Sequence, residues 1–349
     1  IEVSHITMEE LMKKGVFLFT LLLFTAAFAF AGGGGEAEPT AEMEEEQPLK
    51  VAALFQTSIE EPWDGVIHQA CLRAVDEYGI EYEFTESVSP PDIEKVLREY
   101  AERGFDLIVG DAFVHGEQPV RRVAADYPEI AFAIGSEFGP VDPNFSVFDN
   151  WIHEPAYLCG VIAGTITQTN IIGAVGGYPI GEVNRLINAY KQGALSVNPD
   201  VKLKVTFISG WFDPPKSKEA ALAQIEAGAD VMYAERFGAI QGAAEAGVYA
   251  FGNMSDQHEL APDVIITSPV WDMWPTISFL IESVMNDSFA ALDLKDFSMM
   301  AKGGARLAPF YGFEDEAPPE LVEKVRGLEE QILNGTFRVP IIEDIPVSD

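Results

Sequence analysis

The chain has 349 residues, 48% of them hydrophobic and 22% charged, enough for two globular domains with separate cores. Its net charge of −34 argues against a nucleic-acid partner, because phosphate binding needs basic clusters and none is visible. The histidines, at 5, 68, 115, 153 and 258, form no His-Glu-x-x-His pair, and Cys71 and Cys159 lack any metal or redox spacing, so no metal or cofactor is expected.

Met12-Lys13-Lys14, the apolar run 16–31 and Ala29-Phe30-Ala31 predict a signal peptide over residues 1–31, with its start at Met12. That places the mature protein in a periplasmic or other extracytoplasmic space; an uncleaved anchor is the alternative. No cysteine stands near the cleavage site, so a lipid anchor is not supported. Residues 32–48, Gly-rich and then acidic, read as a flexible linker. No later stretch reaches membrane-spanning length.

From residue 50 strands and helices alternate. Strands are expected at 50–56, 80–85, 106–110, 130–134 and 146–149. Val66, Ile67, Ala70, Cys71, Ala74 and Val75 share one helical face after the first strand. Further helices are expected from Asp92 to Gly104, at 118–127 and at 155–167. A second set has strands at 171–175, 202–208, 230–234, 248–251 and 264–267, with helices at 181–197, 217–227 and 239–246. A helix at 274–286, a return strand and a final helix at 319–333 close the chain. Such alternation predicts an α/β protein with parallel sheets covered on both faces. The expected division is lobe 1 at 49–168 plus about 273–296, and lobe 2 at 169–268 plus about 297–349. Cys71 and Cys159 lie on apolar helix faces, so a disulfide and two buried thiols are both open.

The two sets repeat each other. Glu102-Arg103-Gly104-Phe105-Asp106-Leu107-Ile108-Val109 returns as Glu226-Ala227-Gly228-Ala229-Asp230-Val231-Met232-Tyr233. Phe113 and Phe237 each stand seven residues past the aspartate, and Phe132-Ala133-Ile134-Gly135 is echoed by Tyr249-Ala250-Phe251-Gly252. Pro90-Pro91 and Pro214-Pro215 precede the two copies. Repeats in one order predict two similarly built lobes, hence a cleft.

In open parallel sheets ligands bind beyond the carboxyl ends of the strands. That rule selects Trp63 and Asp64 after the first strand, Asp111 and Phe113 after the third, and Gly177, Trp211, Glu235, Phe237, Asn253 and Asp256 in the second set. Trp271 sits on the later crossover. Aromatic faces beside carboxylates suit a flat ligand carrying N–H and O–H donors, such as a nucleobase, a nucleoside or a sugar. Glu60, Glu61 and Asp213 could equally cap helices. Trp271 could equally pack the hinge. Gly173-x-x-Gly176-Gly177 lacks the rest of a P-loop or dinucleotide fingerprint and reads as backbone clearance at the cleft. No catalytic motif is present.

Gly176-Gly177-Tyr178-Pro179 through Asn184, Ala189, Gly193-Ala194 and Val197-Asn198-Pro199 is similar to a segment of the basic membrane protein (BMP) family of ABC-transporter substrate-binding proteins, which includes purine nucleoside receptors. Trp211-Phe212-Asp213-Pro214, Gly228-Ala229-Asp230 and Gly252-x-x-Ser255-Asp256-Gln257 also resemble it, over roughly residues 50–335. The resemblance implies a two-lobed type I periplasmic-binding-protein fold, monomeric, that closes on a purine nucleoside or base. It also implies a permease and an ATPase as partners. Two departures stand out. Nucleoside-binding relatives carry Asp-x-x-Phe-Asn where this chain has Glu60-Glu61-Pro62-Trp63-Asp64, and a ribose-binding lysine where this chain has none near Trp271. The missing lysine favours a free base such as adenine, while Trp63 and Asp64 would replace the relatives' stacking Phe and Asn. A sugar-binding protein of the same fold and a ligand sensor for a membrane receptor remain alternatives. An enzyme such as a nucleoside hydrolase is argued against by the missing base or metal motif.

Overall fold

The computed structural model describes residues 47–349 apart from Ala112 and Val114; the expected signal peptide and nearly all of the linker lie outside the described residues. Five strands, β1 (Lys50–Leu54), β2 (Glu81–Thr85), β3 (Leu107–Asp111), β4 (Ala131–Gly135) and β5 (Phe145–Phe148), alternate with α1 (Pro62–Tyr78), α2 (Ile93–Glu102) and α3 (Glu117–Asp126). They pair in parallel in the order β2-β1-β3-β4-β5. After α4 (His153–Ile166) comes a second set, β6 (Ile171–Gly176), β7 (Lys202–Phe207), β8 (Val231–Tyr233), β9 (Tyr249–Phe251) and β10 (Ile265–Thr267). Its helices are α5 (Gly181–Leu195), α6 (Pro214–Glu226) and α7 (Ala239–Ala246). The second sheet is also parallel and has the equivalent order, β7-β6-β8-β9-β10. The chain closes with β11 (Pro269–Trp271), α8 (Trp274–Met285), β12 (Ala305–Leu307), α9 (Phe313–Glu316) and α10 (Pro319–Leu333). The fold is therefore the two-lobed type I periplasmic-binding-protein architecture.

The repeat has a physical cause. Gly104 and Gly228 both take positive φ, 72° and 102°, which glycine adopts without a Cβ penalty. Each turns the chain so that the following aspartate reaches the neighbouring first strand of its sheet. Asp106 Oδ2 accepts from the Lys50 amide at 2.8 Å, at the first residue of β1. Asp230 accepts from Gln168 N at 2.6 Å, Thr169 N at 2.9 Å and Thr167 Oγ1 at 2.6 Å, ahead of β6. One short motif thus sets the start of the first strand in both sheets.

Three stretches of chain cross between the lobes, near residues 149–152, 268–272 and 298–305. Ser298, fully buried, joins all three: its Oγ accepts from Trp271 Nε1 at 2.8 Å and donates to Asp149 O at 2.5 Å. The return strand expected after α8 is β12, antiparallel to β11 rather than part of either large sheet.

One boundary differs from the sequence expectation. Helix α4, assigned to lobe 1 by the division at residue 168, lies against α5 of lobe 2. The reason is Gly160 and Gly193: a Cβ on Gly160 would stand 2.0 Å from Tyr190 O, and one on Gly193 2.0 Å from Tyr157 O. Two glycines facing two backbones let these helices approach more closely than ordinary ridge packing allows. Val147 N donates to Leu292 O at 3.0 Å in lobe 1, and Asp349 N donates to Leu203 O at 2.9 Å in lobe 2. Cys71 and Cys159 are buried and unpaired, and burial pushes the Cys71 thiol up to about 12.

Candidate functional site

The carboxyl ends of both sheets face each other across the cleft, and their loops close around a small cavity of about 20 Å³. Lobe 1 contributes Thr57, Glu61, Trp63, Asp64, Asp111 and Phe113; lobe 2 contributes Glu182, Trp211 and Arg236.

On the lobe 1 wall, Glu61 is the N-cap of α1, its Oε2 accepting from Trp63 N at 2.8 Å. The cap aims the first turn, and with it Trp63 and Asp64, into the cleft. Trp63 stacks on Phe148 at 5.8 Å between ring centroids, meets Phe113 edge-on at 5.6 Å and leans on Trp271 at 5.0 Å. Gly135 at the end of β4 makes this possible, since a Cβ there would stand 2.2 Å from the Trp63 ring. Asp64 Oδ2 accepts from Thr57 N at 3.0 Å and from Thr57 Oγ1 at 2.5 Å. Its Oδ1 is buried and has no partner among the described residues. Asp111 Oδ1 accepts from Phe113 N at 2.9 Å, and Oδ2 from Gln56 Nε2 at 2.8 Å.

On the lobe 2 wall, Arg236 organises the loops. Its Nη2 donates to Glu235 Oε1 at 2.6 Å, Nη1 to Trp211 O at 3.2 Å, and Nη1 reaches across to Glu61 Oε1 of lobe 1 at 3.3 Å. The guanidinium lies 5.3 Å from the Trp211 ring centroid. Gly177 N donates to Glu235 Oε2 at 3.0 Å, and a Cβ on Gly177 would crowd both Trp211 and Arg236 at 3.1 Å. Trp211 is half-buried, with Tyr178 edge-on at 4.8 Å, and its Nε1 donor is buried without a partner. Glu182 Oε1 accepts from Asn150 Nδ2 at 2.7 Å.

Four carboxylates and one guanidinium therefore line the cavity. Burial pushes Asp64 well above the usual carboxylate range, with Asp111 and Glu61 adding repulsion. Asp111 is pushed up to about 7, again chiefly by burial, against the hydrogen bonds from Phe113 N and Gln56. Glu182 rises for the same first reason, with Glu235 next. For Glu61 burial outweighs the attraction of Arg236, so it also rises.

The remaining residues expected at the site fall elsewhere. Asn253 is buried behind the wall, its Oδ1 accepting from Tyr233 OH at 2.7 Å and its Nδ2 donating to Glu235 O at 3.2 Å. Phe237 stacks on Phe212 at 5.7 Å and lines a separate open groove on the other flank of α1. Asp256 is exposed on that groove and accepts from Tyr311 OH and His258 N. Trp271 also borders it, and its indole N–H is taken by the hinge serine. The groove is wider than the cavity, but two of the buried polar atoms without a partner among the described residues, Asp64 Oδ1 and Trp211 Nε1, belong to residues of the cavity and none belongs to the groove; we therefore place the candidate site in the cavity. Sequence reasoning assigned no role to Arg236, although it stands in the Glu235-Arg236-Phe237 loop, and passed over Thr57 and Glu182.

A family model described as "ABC transporter substrate-binding protein PnrA-like" matches residues 49–340. The chain belongs to the Bmp family. Among Bmp relatives, it is 35% identical over 276 residues to a protein of Haloferax volcanii provisionally named ABC transporter glucose-binding protein TsgA13, covering 78% of this chain and 69% of that one. It is 31% identical over 259 residues to a purine-binding protein of Brucella abortus, covering 73% of each. A solute-binding protein of an ABC transporter system from Aeropyrum pernix shares the fold with a TM-score of 0.71 at 22% identity, over 84% of this chain and 94% of that one. This Bmp protein is thus an ABC transporter substrate-binding protein, of a family of solute-binding proteins rather than enzymes. No described helix is long and apolar enough to cross a membrane.

Proposed function

We propose that this Bmp protein is exported, captures a flat heterocycle such as a purine base, and delivers it as a monomer to a membrane permease and its ATPase. The observation that carries this reading is a pair of buried, unpartnered polar atoms on the cavity's two walls: an acceptor, Asp64 Oδ1, and a donor, Trp211 Nε1. A buried polar atom without a partner costs about 1–3 kcal/mol, so a ligand that supplies one N–H and one ring acceptor relieves both. A purine edge has that pattern. The faces of Trp63, Phe113 and Trp211 add stacking, about 0.5–1.5 kcal/mol for each good aromatic contact.

Charge supports a base over phosphate-bearing forms. The space left between the walls, about 20 Å³, is only water-sized, so a ligand enters with the lobes farther apart than they stand here. Four carboxylates around one already paired guanidinium disfavour a phosphate-bearing ligand. The purine-binding name of the Brucella relative agrees with this reading. The glucose-binding name of the Haloferax relative favours a second one, a sugar stacked on the same rings. A sensor role at a membrane receptor would use the same cleft.

Native mass spectrometry of the purified protein, with release and identification of the bound molecule, tests the proposal. A released purine base supports it. A released sugar overturns the ligand assignment and leaves the substrate-binding role.

A further inference from the structure

We propose that Arg236 is a positioning residue that latches the two lobes together through Glu61. Arg236 belongs to lobe 2, in the loop after β8, and Glu61 to lobe 1, as the cap of α1. Both side chains are buried, 2% and 4% exposed, and the Nη1–Oε1 distance is 3.3 Å. Arg236 also holds the backbone of the loop that carries Trp211, and Glu61 holds the first turn that carries Trp63 and Asp64. One contact therefore joins the supports of both ring walls.

The charge balance makes the contact matter. In the joined lobes Glu61, Asp64, Asp111, Glu182 and Glu235 are all buried, and Arg236 is the cation paired with Glu61 and Glu235. Removing one member of a buried ion pair is costly because it leaves the other charge uncompensated. Loss of the guanidinium should therefore penalise the joined conformer far more than the separated one, where the carboxylates regain water. Loss of the Glu61 charge alone removes an attraction. Loss of both removes the attraction and the worst uncompensated neighbour together. Glu61→Gln should thus have opposite signs with and without Arg236, which a role confined to propping Trp211 would not produce.

A rim contact provides the readout without any ligand. Gly181 N of lobe 2 donates to Glu137 Oε1 of lobe 1 at 2.6 Å, at the mouth of the cleft. With Glu137→Cys and Gly181→Cys introduced together, the rate of bridging by a short bis-thiol reagent reports the population of joined lobes, even when it is minor. Cys71 and Cys159 are buried and will not compete. Arg236→Gln should slow bridging at least tenfold, and Glu61→Gln alone about threefold. Adding Glu61→Gln to Arg236→Gln should speed bridging at least threefold over Arg236→Gln. Glutamine is the replacement at position 61 because its amide oxygen can still accept from the first turn of α1. An unchanged rate in Glu61→Gln overturns the proposal, as does a double variant no faster than Arg236→Gln. If Arg236→Gln does not fold, Glu61→Gln decides alone. The outcome does not depend on what the cleft binds.

Discussion

In the first lobe Asp64 keeps a buried carboxylate oxygen without a partner, whereas in the second Glu235 is engaged by Gly177 N and Arg236. The two sheets have the same strand order, so the difference arises in the loops that leave them. The second wall is braced from within the protein: Tyr233 holds Asn253, Asn253 holds the Glu235 backbone, and Glu235 holds Arg236. The first wall carries stacked rings and carboxylates whose hydrogen bonding is incomplete. A binding protein of this build has a second wall largely preorganised by its own network, with Trp211 Nε1 left for the ligand, and a first wall that the ligand completes.

The comparison breaks first at Glu235. If the second wall is a brace, Glu235→Ala removes the main partner of Arg236, leaves only the Glu61 contact, and should cost about 3–5 kcal/mol in chemical denaturation. A loss below about 1 kcal/mol would mean that Glu61 or water compensates Arg236 in full. The first wall should instead show itself in pH dependence. Asp111 is raised from 3.8 to about 7 in the folded protein, so its contribution to stability is full below about 4 and is lost as pH rises through about 7. Between those values wild type should lose up to about 1.4 kcal/mol per pH unit relative to Asp111→Asn. Parallel stability curves from about pH 5 to 7 would remove that burial argument.

Binding sharpens the contrast further. Asp64→Asn should weaken adenine binding at least tenfold, about 1.4 kcal/mol, while leaving stability unchanged or higher, because it removes a buried charge. Trp63→Ala and Trp211→Ala should each weaken it at least tenfold by calorimetry; Trp63→Ala should also cost stability, since that ring touches Phe113, Phe148 and Trp271. The smallest effect belongs to Asp256→Asn. Its side chain is exposed outside the cavity, so stability should shift by less than about 0.5 kcal/mol and adenine affinity should hold.

Much of the frame was legible in the chain. The Gly-x-Asp repeat announced paired sheets because the same backbone turn and the same side-chain cap are required twice. The strand-end rule reached Trp63, Asp64, Asp111, Phe113 and Trp211 because loop order follows strand order. It could not rank residues within a loop: Phe237 turns to an open groove and Arg236, its neighbour, turns inward, a choice made by the tertiary partners Glu61 and Glu235. A charged residue defaults to solvent in any single-sequence reading, so buried Glu182 and Arg236 drew no role. The packing of α4 on α5 stayed hidden for a related reason, since the close approach of Gly160 and Gly193 depends on what each helix faces in the folded chain.

The most direct test of the account is a calorimetric titration with adenine, run beside adenosine and glucose, on wild type and on Asp64→Asn. The account predicts that adenine binds most tightly and that the substitution weakens it at least tenfold. Binding of glucose without adenine, or adenine binding indifferent to Asp64→Asn, would contradict it.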